Sequence, residues 1–395
     1  MDGMSIYLDH NATTPLHPDV LAAMTPLLTE QFGNAGSLHA WGREAKAALE
    51  RSRMTMARAL RISDKDTIVF TAGGTEADNL ALTGVATAQQ GRGRHVIVSA
   101  VEHHAVLNTA THLSRMGFEL TRVRVDSEGM LDPDDLRRAI RPDTTLVSLM
   151  HGNNETGVLF PVSSIGRICR ERGIAFHTDA VQSFGKLPLN VEAMQVDLLS
   201  VSAHKIHGPK GVGVLYIRRG TRMEPILHGG SQERSRRAGT ENIAGAVGLA
   251  AATELALGDQ ESVARRLADL RDRLEHGVMA AVPGVLRNGH PTERLPHVTN
   301  LAFSGLEAES LILALDLAGV GVSSGAACSS GSLEPSHVLL AMGLARDRVM
   351  SSIRFSLGRM TTREEVDRVL EILPPMVERM RRVSAGLGPA LGARK

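Results

Sequence analysis

The chain has 395 residues, 43% hydrophobic and 22% charged, with 44 Lys and Arg against 43 Asp and Glu, a profile that excludes disordered and fibrous classes and leaves ample chain for a core. A formal net charge of +1 supplies no field to hold a polyanion, so nucleic acid is disfavoured as the main partner. Two cysteines cannot build a disulfide framework, which points to a reducing, cytoplasmic setting.

The opening MDGMSIYLDHNATTP lacks the basic region and apolar stretch of a signal peptide. From about residue 60 to 220, short apolar runs alternate with longer stretches at helical spacing. The runs are DTIVFTAG, RHVIVSAV, TTLVSLMHG, IAFHTDAV, DLLSVSAH and VGVLYIRR. This alternation predicts an α/β fold with a mostly parallel sheet covered by helices. Ligands of such sheets sit beyond the carboxyl ends of the strands, and here those ends are polar, at residues 71–74, 102–104, 151–155, 177–182 and 202–205. Residues 243–281 have helical periodicity and bridge to a second region, where strands return at HVTNLAFSG and SSIRFSLGR. The reading is a large domain over 15–255 and a smaller α+β domain formed by 1–14 and 256–395. LILALDLAGVGV, which carries Asp316, is too short to span a membrane. The tail SAGLGPALGARK has little to bury and is expected to fray.

Lys205 ends an apolar run and precedes a Gly and Pro-rich turn. Partial desolvation there lowers a lysine pKa, as Schiff-base chemistry requires. An isolated lysine would more often be a snorkelling surface residue, but Asp179 ends a neighbouring run, and a buried acid needs a cation. Pyridoxal phosphate enzymes pair a Schiff-base lysine with an aspartate at the pyridine nitrogen. The phosphate then needs a site, and FTAGGTEADNLAL offers Gly74 and Thr75 at a helix start. Alone, that turn equally fits a tight turn with a threonine cap. His103 suits ring stacking and proton exchange, although adjacent His104 is indistinguishable from it at this level. Arg354, in an apolar strand, suits capture of a carboxylate or a structural ion pair. Cys169 sits at a helical position with Ile165 and Ile168 and reads as a buried thiol. Cys328 lies in GVSSGAACSSGSLEPS, which reads as a mobile loop offering a reactive thiol or as a linker with an incidental cysteine. The 16 histidines and two cysteines show no zinc-type spacing, so no metal site is expected. The cluster Arg234, Arg236 and Arg237 reads as a solvated face near Thr240.

YLDHNATTP, FTAGGTEADN, EHHAVL, HGNNETG, FHTDAVQ, SAHKIHGPKG, RRAGTEN, SSGAACSSGSLEPSHV and RFSLGR, in order from about residue 5 to 380, resemble the cysteine desulfurases. These are pyridoxal phosphate enzymes of fold type I related to class V aminotransferases, and their large domain carries a seven-stranded-type sheet. The resemblance implies conversion of L-cysteine to L-alanine with sulfur passing to Cys328 as a persulfide. The sulfur would go to an iron–sulfur scaffold or another acceptor protein, nitrogenase clusters included. It further implies that Lys205 holds the cofactor, that Asp179 meets its ring nitrogen, and that Asn154 and Gln182 contact its phenolic oxygen. Gly74, Thr75, Ser202 and His204 match the phosphate site, with Thr240 supplied by the other subunit of a homodimer. His103 matches the stacking acid–base residue, Arg354 and Asn34 the carboxylate site, with Asn154 also near substrate. Three positions depart from the family pattern: Ala326 and Ser329 beside Cys328, and Ala35 after Asn34. Competing readings are an aminotransferase, a selenocysteine lyase, or an idle partner in cluster assembly.

Overall fold

The computed structural model describes residues 5–324 and 334–387. Cys328, Ala326 and Ser329 lie outside the described residues. In chain order the strands are β1 (Ile6–Tyr7), β2 (Ile68–Thr71), β3 (His95–Ser99), β4 (Glu119–Val123), β5 (Thr144–Ser148), β6 (Ala175–Asp179), β7 (Leu198–Ser202), β8 (Gly213–Ile217), β9 (Val285–Asn288), β10 (Val298–Phe303), β11 (Val320–Gly321) and β12 (Ser352–Ser356).

Seven of these form one sheet in the order β2-β8-β7-β6-β5-β3-β4. β7, β6, β5, β3 and β4 are parallel, while β8 runs antiparallel to both of its neighbours, β2 and β7. Every residue of β5, β6 and β7 is buried, which is why these runs read as continuously apolar rather than alternating. Period-2 geometry sends Leu146, Ala175, Leu198 and Leu215 to one face, under the helix Gly74–Gln89. Val147, Phe176, Leu199 and Val214 face the other way, into a core shared with the helices Ala40–Ala59, Val162–Arg172 and Ile243–Gly258. Each such buried Val, Leu or Phe contributes about 1.5–3 kcal/mol of transfer free energy. β4 was not foreseen, because as an edge strand it is mostly solvent-facing and offers no apolar run.

A separate core gathers Ile6 and Leu8 with residues between Leu267 and Val377. In it β10 lies between β9 and β12, antiparallel to both, and β1 pairs with β11. The short helix His337–Ala341 buries Val338 and Leu339 in the core of the large sheet instead. The periodic stretch 243–281 is two helices, Ile243–Gly258 and Gln260–Ala281, because Asp259 leaves the helical region at φ −138°. The helix Arg363–Leu387 extends into the segment expected to fray; residues 388–395 are outside the described residues. No described helix is long and apolar enough to cross a membrane.

Candidate active site

The order of the strands reverses between β3 and β5, and the carboxyl ends around that point open on a cavity of about 260 Å³. From β7 and the turn Ala203–Lys205 come Ser202, His204 and Lys205; from the end of β6 come Asp179 and Gln182. Asn154 follows β5, His103 follows β3, and Gly74 and Thr75 follow β2. Nine of the residues singled out from the sequence line this one cavity. Sequence reasoning missed Asp78, Ala12, Met150, Gly152 and Val181, which also line the cavity.

Lys205 Nζ donates to the carbonyl of Ala12 at 2.8 Å and to that of Asn11. Asp179 Oδ1 accepts from the Val181 amide at 2.8 Å. Burial raises the Asp179 carboxyl to about 6, against the pull of the Val181 amide and the Lys205 charge. Near it, burial and the Asp179 carboxylate hold Asp78 well above the usual carboxylate range. On the same face of β6, His177 is locked between Ser148 Oγ (2.8 Å) and Ser200 Oγ (2.9 Å).

The structure separates the two adjacent histidines. His103 caps the helix His104–Arg115, its Nδ1 accepting from the Ala105 amide at 3.1 Å, and it lines the cavity. Burial, then the charges of Lys205, His104 and His337, lowers it to about 4, so the ring is neutral at pH 7. His104 is exposed and packs on the His337 ring, 4.5 Å between centroids.

Arg354 is 2% exposed and sits behind the cavity wall. Its Nη1 donates to the Asn154 carbonyl at 2.9 Å and its Nη2 pairs with Asp9 Oδ1 at 2.7 Å. Asn11 ties this layer together, donating to the Asn154 carbonyl at 3.0 Å and meeting His297 Nε2 at 2.8 Å. Asn34 and Thr240 are exposed and do not line the cavity of their own chain. The strap that leads to Thr240 is pinned by the buried pair Arg53–Glu233 and by Arg237 on Glu76, at 2.8 Å. Arg234 and Arg236 bind Asp66, so this cluster is anchored rather than simply solvated. The segment that carries Cys328 is flanked by Ser323, bridged to Arg354, and by Ser336, whose hydroxyl donates to Glu155. Cys169 is buried, and burial pushes its thiol far above the ordinary range.

These residues fit pyridoxal phosphate. The helix Gly74–Gln89 begins with no side-chain cap, leaving its first amides and dipole for an anion. A Cβ on Gly74 would stand 2.8 Å from Val181 Cγ2, so glycine keeps that end open. Gln182 Oε1 and Asn154 Oδ1 are buried at the cavity without a hydrogen-bond partner among the described residues, and unsatisfied amides of that kind call for a bound group.

The family described as aminotransferase class V matches residues 6–369. Cysteine desulfurase IscS of Dictyoglomus turgidum is 49% identical over 379 residues, covering 96% of each chain. A protein of the same name from Methanosarcina thermophila is 49% identical over 97% of this chain and 94% of its own. A solved NifS-like protein superposes with a TM-score of 0.89 at 37% identity, over 95% of this chain and 100% of its own. With its lysine, its buried aspartate and its open helix end meeting in one cavity, the chain belongs to the class V aminotransferase family, among the cysteine desulfurases.

Proposed function

We propose that the chain is a pyridoxal phosphate-dependent cysteine desulfurase that takes the sulfur of L-cysteine onto Cys328 and leaves L-alanine. The observation that carries this reading is the convergence of Lys205, Asp179 and the uncapped helix end at Gly74 on one cavity. Identity of 49% to cysteine desulfurases over nearly the whole chain supports it.

Bound pyridoxal phosphate supplies a conjugated ring that accepts the electron pair left on the substrate α-carbon. Lys205 would hold the cofactor covalently, and its free amine would carry the substrate α-proton. Asp179 would pair with the cofactor's ring nitrogen and favour its protonated form. The amides of Gly74 and Thr75, with Ser202 and His204, would hold the phosphate. Asn154 and Gln182 would hold the cofactor's phenolic oxygen, and Asn154 would also serve the substrate. His103, neutral at pH 7, would stack on the cofactor ring and exchange protons with substrate. Arg354, oriented by Asp9, binds the substrate carboxylate together with Asn34. The Cys328 thiolate bonds to the substrate sulfur as the carbon–sulfur bond breaks. The carbon keeps the bonding pair, takes a proton and leaves as alanine, and Cys328 carries a persulfide.

Residues 15–255 form the cofactor-binding domain, and 1–14 with 256–395 form the domain that carries Cys328. Thr240, exposed in its own chain, serves the phosphate site of a second subunit. Exposed Leu28, Phe32, Leu38 and Trp41, beside Asn34, supply apolar surface for that homodimer. The persulfide serves a scaffold or another acceptor protein of iron–sulfur assembly in the cytoplasm, nitrogenase clusters included. The test is L-cysteine-dependent release of alanine and sulfide under a reductant, in the wild type and in Cys328→Ala. Loss in the variant supports the reading; keto-acid product, or turnover unchanged without Cys328, refutes it in favour of an aminotransferase or lyase.

A further inference from the structure

A second cavity, of about 50 Å³, shares Lys205 with the first. Its ionisable lining is His10, His17, Lys186, Lys205, His207 and Arg359, and among the described residues no carboxylate lines it. Other buried cations of this chain have acids: Arg53 has Glu233, Arg294 has Glu275, and Arg354 has Asp9. Lys186 Nζ instead donates to the Gln182 carbonyl at 3.2 Å and forms no ion pair with a described residue. His10 is 4% exposed and its Nδ1 has no hydrogen-bond partner among the described residues. Its ring is seated on Gly358, where a Cβ would come within 2.2 Å of it, and lies 5.9 Å from the ring of His207. His207 Nδ1 is occupied by the Pro15 carbonyl at 3.0 Å.

Lys205 has Asp179 and Arg359 has Asp259 at 2.6 Å; the Lys186 ammonium, turned to the cavity without an acid, is costly, and so is a buried ring nitrogen without a partner. One bound anion removes both deficits. The rest of the wall is apolar, with Leu255, Val263, Leu267 and Leu357, so a tetrahedral divalent oxyanion would find too few donors there. We propose that this cavity binds one small monovalent anion, of the size of chloride, between Lys186 and His10. The site rests on the cavity alone and stands whatever reaction the chain catalyses.

The electrostatics of the cavity agree. Burial, then Lys205, brings Lys186 down to about 7, and burial, His207 and Lys186 bring His10 to about 3. The groups that face these two, namely His17, His207, His297, Lys205 and Arg359, are of the cationic type, with Asp259 at 2.6 Å from Arg359 and Asp19 at 3.7 Å from His17 on their outer sides. An anion reverses that repulsion, so its binding takes up a proton and tightens as the pH falls through about 7.

The test is line broadening of the chloride NMR signal by the holoenzyme, at constant ionic strength balanced with sulfate. The expected result is a saturable broadening that bromide displaces and sulfate does not, stronger below pH 7 than above it. Lys186→Met should abolish the saturable component and Lys186→Arg should retain it, while His10→Phe should weaken it by about tenfold, one hydrogen bond to a charged group. If Lys186→Met fails to fold, the contrast between Lys186→Arg and His10→Phe decides. Broadening that does not saturate, that sulfate displaces equally, or that survives in Lys186→Met or unweakened in His10→Phe, overturns the proposal.

Discussion

Asp179→Asn separates what the buried carboxylate costs the empty protein from what it contributes to the loaded one. Burial raises Asp179 from 3.8 to about 6. At about 1.4 kcal/mol per pH unit, its ionised form costs the cofactor-free protein about 3 kcal/mol. The sign follows from the direction. A carboxyl with a raised folded-state pKa contributes stability that is fully present below about 4 and is lost as the pH rises through about 6. Asparagine is neutral at every pH, and its Oδ1 still accepts from the Val181 amide. Cofactor-free Asp179→Asn is therefore more stable than the wild type at about pH 8, by up to about 3 kcal/mol, and the gap closes as the pH falls from 6 toward 4. Pyridoxal phosphate reverses the order, because only the carboxylate gains from a protonated ring nitrogen, and activity of the variant falls by about a hundredfold or more. Urea unfolding of both proteins, with and without cofactor and across that pH range, reads these differences. A gap independent of pH, or a cofactor-free variant less stable than the wild type at pH 8, would refute the reasoning.

Arg354→Lys loses the planar fork that binds Asp9 and the Asn154 carbonyl and cannot grip a carboxylate bidentately. The KM for L-cysteine should rise by about ten- to a hundredfold, more than kcat falls, in steady-state assays. Glu233→Ala leaves Arg53, which is 2% exposed, with Glu50 at 3.2 Å as its remaining acid, and leaves the Phe70 amide without its acceptor. It should cost about 3–5 kcal/mol in urea unfolding; a change below about 1 kcal/mol would show that the pair does not hold the strap at residues 231–240.

The α/β architecture was legible because β5, β6 and β7 are buried on both faces and therefore spell themselves out as apolar runs. The residues just past those runs could be named for the same reason: a polar residue at such a position is there to meet something. Partners distant along the chain had no such signal. Asp9 and Arg354 are 345 positions apart, and Asn11 reaches His297 across 286; only the tertiary fold brings them together. Asp78 hid in the amphipathic pattern of its helix, although an acid three residues past Thr75 on the inward face was a usable clue. The direction of β8 was equally silent, because antiparallel pairing leaves no trace in a fully apolar strand. The choice between His103 and His104 was settled by capping geometry, which turns one ring into the cavity and the other onto His337.

The central claim is that sulfur leaves L-cysteine at the cavity of Lys205 and arrives on Cys328. Peptide mass spectrometry of the holoenzyme after a single exposure to L-cysteine tests it most directly. The account predicts the added mass of one sulfur atom on the peptide with Cys328, removed by a thiol reductant, absent from the peptide with buried Cys169, and absent from Lys205→Ala. Alanine formed with Cys328 unmodified, or sulfur found on Cys169, would contradict it.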